Sequence, residues 1–466
     1  MSGPPGGDVR RPAGPSLTPW RLVREVRRTG PLALVDGIAR AHPRIAYFRL
    51  GREHAYLLSA PDLARTLLVD LGRVTAKGRG LERARELLGD GLLTSEGSLH
   101  QRQRRRIQPA FHASGVGRYA EVMRAEARAL SAGWRDGDVV DMRAEMSRLT
   151  LRIVARSLFG TDLADADLRL VGASLTTFLG SFLARMMPAG EALGRLPTTR
   201  NRRLRRTAEE LDGLIYRLIG EHRAVGDTGD LLSTLLAATD AEGRGDGCGG
   251  RMHDRLVRDE VLTLLLAGHE TTANALCWSW LLLADAPRAA ARLHAELDAR
   301  PTADRVTDRR GRAGVDTLPY TRAVVAESMR LRPPSWLVSR RLTAPAELDG
   351  YVLPAGSLVA TSQWVLHGDP RWWGADADVF RPERWLDAGG RFDEAAPGQP
   401  RGAYLPFGAG RRVCVGEHFA WTEAVLVLAE LARCWTPAAT VQTRHTARAA
   451  VTLRPVMAPL CLRSRR

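Results

Sequence analysis

Between residues 61 and 300 apolar positions recur mostly at helical spacing, as in PDLARTLLVD, RYAEVMRAEARALSAGW and RLTLRIVARSLFG, and they predict a large helical assembly. The run over 259–285, DEVLTLLLAGHETTANALCWSWLLLAD, is apolar on nearly every side except one polar notch, which predicts a fully buried helix. His269, Glu270, Thr271, Thr272 and Asn274 interrupt its centre, so it does not read as a membrane span. Upstream, RIAYFRLGREHAYLLS holds two strand-like runs around Gly51, Arg52 and Glu53, a hairpin signal. Downstream come a helix in YTRAVVAESMRLR, strand-like pieces in ELDGYVLPAGSLVATS, and turn-rich sequence leading to Cys414. The expected class is mainly α with small β-sheets. Residues 20–466 are expected to form a single domain after a flexible Pro/Gly-rich lead-in over 1–19.

That lead-in has no long apolar run, so neither a signal peptide nor a membrane anchor is expected. The net charge is +16, and 67 of the 68 basic residues are arginine; the single lysine is Lys77. The arginines are scattered without aromatic-basic repeats, which speaks against nucleic acid and for an acidic protein partner. Five cysteines, widely spaced and without a CxxC pair, argue against a disulfide framework or structural zinc and suit a reducing cytoplasm. Cys248 falls in the glycine-dense EGRGDGCGGR and reads as incidental.

Four short stretches carry candidate chemistry. In FGAGRRVCVG, arginines and glycine-exposed amides around Cys414 would favour a thiolate, a good ligand for a soft or borderline metal; alone, the stretch also fits a buried cysteine in a turn. AGHETT places a carboxylate beside a hydroxyl in the notch of the buried helix, either a proton route or a polar kink in which threonine bonds back to a carbonyl. Glu327 and Arg330 in AESMR share a helix face and would pair. HQRQRRRIQPAF by itself is a basic helix face.

Phe407, Gly410, Arg412, Cys414, Gly416 and Ala420 resemble the haem-binding loop of the cytochromes P450, and the other stretches follow in that family's order, with HGDP and LRP extending the match. The resemblance implies the triangular, mainly helical cytochrome P450 fold around haem b. Cys414 would be the axial thiolate to iron, Phe407 would pack near the sulfur, and Gly416 would complete the loop. It likewise implies propionate contacts from His100, Arg104, Arg340 and Arg412, with Arg341 a weaker candidate. Thr271 would hold dioxygen and Glu270 would feed its proton relay, while Glu327, Arg330 and Arg384 would lock the fold behind the haem loop. By family position the substrate pocket would be lined by Leu264, Leu265, Ala267, Gly268, Trp336, Leu337, Val338 and Val451. All are apolar or small, so an apolar ligand is expected.

The implied activity is a monooxygenase that hydroxylates or epoxidises an apolar small molecule with O2. The expected electron donors are a small acidic ferredoxin and its reductase, docking near Arg102, Arg105, Arg106 and Arg411; a cytoplasmic monomer is expected. HQRQRRRIQPAF and MRLRPPSWLVSRRL look similar to actinobacterial members that oxidise cyclic terpenes, pentalenene and epi-isozizaene oxygenases among them, and point to secondary metabolism. The alternatives are a fatty-acid or polyketide hydroxylase of the same family, and a haem-binding protein without turnover. The intact Glu270-Thr271 pair speaks against a peroxygenase.

Overall fold

The computed structural model describes residues 10–186, 196–237, 254–300, 314–395 and 400–465; Cys248 and its loop lie outside the described residues. The axis of the fold is the helix Asp254–Ala284, which starts five residues before the expected 259. Trp278, Trp280 and Leu281 on it are fully buried, as an all-round apolar pattern requires. It packs most extensively against Met142–Phe159, a helix started by the Asp141 carboxylate accepting from the Arg143 N–H and ended at Gly160 with φ 56°. Gly268 permits that close crossing, because a Cβ there would lie 3.1 Å from Val154 Cγ2. Pro319–Leu331, Thr199–Val225 and Glu417–Cys434 also pack on the axis, so most of the core surrounds this one helix.

The hairpin forms as Ile45–Leu50 and Glu53–Leu58, with Leu50 opposite Glu53. Glu53 therefore opens the second strand, leaving Gly51, at φ 66°, and Arg52 as a two-residue turn. The sheet they enter has five strands, in the order Ile45–Leu50, Glu53–Leu58, Leu358–Thr361, Val338–Leu342, Thr75–Lys77. All neighbours are antiparallel except Glu53–Leu58 with Leu358–Thr361. In its last pairing Lys77 stands directly opposite Arg340, which places both side chains on one face.

Two local expectations change. PDLARTLLVD is helical only over Pro61–Arg65 and continues as a wider π-type turn, Thr66–Asp70. The lead-in was expected to be flexible through residue 19, but its described part is tied down. The Tyr47 N–H donates to the Ala13 carbonyl at 3.1 Å, the Arg11 guanidinium lies over the Tyr47 ring, and a helix begins at Pro19. Its stop at the sheet edge is a backbone pairing that composition does not reveal. No helix among the described residues is long and apolar enough to cross a membrane.

Candidate functional site

The loop before Glu417–Cys434 is shaped by glycine. Gly408 and Gly410 take φ values of 73° and 70°, and a Cβ on Gly410 would collide with the Leu68 carbonyl in the π-type turn. The loop closes on itself as the Cys414 N–H donates to the Phe407 carbonyl at 3.0 Å. Phe407 packs at the core edge, its ring 6.0 Å from that of Trp421. Cys414 is exposed to solvent, although protein atoms crowd its sulfur. Burial pushes it up to about 11, which outweighs the Gly416 N–H and the Arg104 charge. Arg411 points to solvent and Arg412 pairs with Glu96, so of the nearby arginines it is Arg104 whose charge favours the thiolate. A metal bound at sulfur would displace the proton that burial retains.

Beside the loop, cations gather. Lys77, His100 and Arg340 are 6%, 9% and 7% exposed. Arg412 donates to Glu96 Oε2 at 2.7 Å and to the Thr75 carbonyl at 2.8 Å, leaving its buried Nε without a partner. Arg104 donates to the Val413 carbonyl at 2.8 Å, so it holds the cysteine loop directly. Arg340 donates to the Ser339 carbonyl at 3.1 Å; burial, then the Arg412 charge, lowers it to about 10. His100 falls to about 4 through burial and the Lys77 charge, and its Nε2 is buried without a partner. Burial also lifts the Glu260 carboxyl to about 8, which leaves Glu96 as the ionised acid facing Lys77, Arg340 and Arg412. Buried cations in such excess call for an anion. With a thiol alongside and an unused His100 nitrogen, the residues present fit a haem whose propionates meet His100, Arg340 and Arg412.

On the axial helix, Thr271 Oγ1 donates to the Ala267 carbonyl at 2.6 Å, and Glu270 Oε1 accepts from Asn274 Nδ2 at 3.2 Å and Thr452 Oγ1 at 3.0 Å. Leu266, Ala267, Gly268, Glu270 and Thr271 keep partial exposure in the middle of a helix that is buried on either side of them, so the notch is where the helix opens. Both readings of the notch therefore coexist: the hydroxyl is back-bonded, and it still offers lone pairs.

Glu327 and Arg330 are completely buried and paired twice, Nε to Oε2 at 2.8 Å and a terminal nitrogen to Oε1 at 2.7 Å. Arg330 also donates to the carbonyls of His367, Ala377 and Val379. Arg384 reaches Glu327 Oε1 at 3.4 Å, and Trp385 Nε1 donates to Oε2 at 2.9 Å. His367 carries this cluster to the cysteine loop: its Nδ1 faces the Met329 carbonyl at 3.4 Å, and its Nε2 accepts from the Leu405 N–H at 2.9 Å. Burial lowers it to about 3, so it is neutral.

Among the expected pocket positions, Leu337, Val338 and Val451 are partly exposed. Three others serve packing, a correction to the pocket expectation. Leu264 and Leu265, at 5% and 1% exposed, sit in the main core. Gly268 is partly exposed, although the side chain it lacks would face Val154. Trp336 packs in a satellite core with Ala449 and Leu453, its Nε1 donating to the Ala450 carbonyl at 3.0 Å. Arg341 pairs with Glu82 and Glu53 instead of facing the cations. Sequence reasoning missed Lys77, although its uniqueness in the chain was a signal, and also Glu423. The latter is buried on Glu417–Cys434 beside the Thr272 hydroxyl, and burial, outweighing that hydroxyl, holds it well above the usual carboxylate range. Among the described residues no group of three His, Cys, Asp or Glu could hold a metal by itself.

A profile described as Cytochrome P450 matches residues 12–439. The chain is 42% identical over 399 residues to cyclooctatin synthase of Streptomyces melanosporofaciens, covering 85% of this chain and 83% of that one. It is 38% identical to cyclooctat-9-en-7-ol 5-monooxygenase of the same organism over 398 residues, again 85% and 83%. Pentalenene oxygenase of Streptomyces avermitilis is 35% identical over 421 residues, 89% of this chain and 88% of its own.

Proposed function

Because the chain belongs to the cytochrome P450 family, whose members use a cysteine-ligated haem iron, O2 and redox partners, we propose that this monooxygenase hydroxylates or epoxidises a cyclic terpene or terpenoid in secondary metabolism. The observation that carries the haem assignment is the excess of buried cations beside the Cys414 thiol. The substrate class rests on the similarity to relatives named for cyclooctatin and pentalenene and on the apolar, partly exposed Ala267, Leu337, Val338 and Val451.

Haem, when bound, supplies the chemistry of dioxygen activation and oxygen insertion. Cys414 would hold haem b through its sulfur, as a thiolate. Arg340 and Arg412 would neutralise its propionates and neutral His100 would donate a hydrogen bond to one, while Arg104 keeps the Val413 carbonyl, and so the sulfur, in place. Thr271, its proton committed to the Ala267 carbonyl, accepts through its lone pairs in the notch. Glu270, held by Asn274 and Thr452 through Oε1, takes up and passes a proton at its other oxygen. The Glu327-Arg330-Arg384 cluster takes no part in the reaction; it fixes His367, and through it Leu405, behind the loop.

Arg105 and Arg411 are exposed, Arg102 and Arg106 partly so, and together they suit an acidic ferredoxin supplied by its reductase. The same reading makes the protein a cytoplasmic monomer. In support, Cys277, Cys414, Cys434 and Cys461 are unpaired, as a reducing compartment would keep them.

The test is a titration of the purified ferric holoprotein, following the Soret band as cyclic terpene hydrocarbons, monohydroxylated terpenes and fatty acids are added in turn. A saturable low-spin to high-spin shift with a terpene and none with fatty acids is expected. A shift with fatty acids alone would overturn the terpene assignment while leaving the monooxygenase intact.

A further inference from the structure

Lys77 is the chain's exception: every other basic side chain is arginine. It is also buried, in a strand whose opposite residue is the cation Arg340. Its ammonium sits in a cup of three acceptors, donating to the Leu92 carbonyl at 2.8 Å and the Ser95 carbonyl at 2.5 Å, with His100 Nδ1 at 3.4 Å. Three N–H bonds on one small head can serve three acceptors at once, whereas a planar guanidinium spreads its donors too widely for the same cup. A chain that uses arginine everywhere else thus keeps lysine where only an ammonium fits.

The ring nitrogen in that cup has two available states. Nδ1 can carry the proton and donate to the Leu92 carbonyl at 3.2 Å, or it can accept from Lys77. A single ring proton at Nδ1 would leave the buried Nε2 as a bare acceptor beside an anion, a repulsive arrangement. With Lys77 donating to Nδ1, the proton sits on Nε2, the atom that has no partner among the described residues.

We propose that Lys77 is a positioning residue that fixes the His100 tautomer, with the proton on Nε2, so that the neutral ring donates a hydrogen bond to a haem propionate. The proposal rests on the haem-thiolate reading and adds to it a residue outside the direct contacts. The neutral state of His100 agrees with it, since burial and the Lys77 charge hold that ring at about 4.

The experiment uses holoprotein labelled with 15N-histidine in its diamagnetic ferrous carbonyl form, with His100→Gln to assign the His100 resonances, alongside haem release to excess apomyoglobin. In wild type the proton resides on Nε2. In Lys77→Met it moves to Nδ1, and haem release quickens by about ten-fold, the scale of one hydrogen bond to a charged group. On a His100→Gln background, Lys77→Met then adds nothing to the release rate. An unchanged tautomer in Lys77→Met, or a rate effect that persists without His100, would overturn the proposal. Should Lys77→Met not fold, Lys77→Arg keeps the charge, and the same change of tautomer is expected of it; retention of the Nε2 proton there would equally overturn the idea. The haem reading is judged separately by the wild-type carbonyl spectrum, which must show thiolate ligation and lose it in Cys414→Ser.

Discussion

The charges buried around Glu327 and those buried around His100 differ in how far the protein itself completes them. In the first group, all five N–H donors of Arg330 are used, on Glu327 and on the carbonyls of His367, Ala377 and Val379. In the second, the Arg412 Nε and His100 Nε2 are buried without partners, and Arg340 lies across the strand from a second cation. Each group even contains a neutral histidine: His367 uses both ring nitrogens within the protein, and His100 uses one. A buried network closed on itself holds a fold together, while one left open on the cationic side is shaped to receive something.

Substitutions can break this contrast, and the largest effect is expected at Glu327. Glu327→Gln leaves Arg330 as an uncompensated buried cation and should lower stability by about 3 to 5 kcal/mol, read as a fall in the urea midpoint or loss of folded protein. Next is acid. His367 has its folded-state pKa lowered, so its contribution is fully present above the unfolded value near 6.5 and is lost as pH falls toward about 3. Between pH 6.5 and 5 the loss from this ring amounts to about 2 kcal/mol, and His367→Gln should remove that share of the fall in the urea midpoint, the remainder coming from His100 and His294, each lowered to about 4. Arg340→Met should behave in the opposite way to Glu327→Gln. Far-UV circular dichroism stays that of the folded protein, while haem release rises roughly ten-fold, because a charge-assisted contact to the ligand is what is lost. The smallest change is expected at the exposed Arg206 and Glu210 pair, where Arg206→Ala should move the midpoint by no more than about 0.5 kcal/mol.

How legible each group is in the sequence follows from the range of its contacts. Glu327 and Arg330 lie one turn apart on a helix, and the Cys414 loop is a contiguous run of glycines and arginines, so both can be read locally. The helix Asp254–Ala284 is legible from composition alone, because burial on all sides needs no phase. The pairing of Lys77 with Arg340 is not, since strand register joins segments far apart in the chain and a three-residue strand has almost no pattern of its own. The same limit explains Leu264, Leu265 and Trp336. Each is apolar, and only the direction of its side chain separates packing from pocket. The turn of Arg412 toward Glu96 likewise depends on a partner that the motif does not include.

The five-stranded sheet, with Thr75–Lys77 at one edge beside Val338–Leu342, has a consequence for how the protein is made. A ribosome releases the first of these strands long before the second, and Cys414 later still, so no partial chain can assemble the basic cradle or present the thiol to it. Cofactor capture is therefore an event of the finished polypeptide, after the slow, long-range closure that such contacts impose on folding. Until then the two strands have to wait with their cations apart, and the incoming dianion meets them as the last element of the fold to arrive.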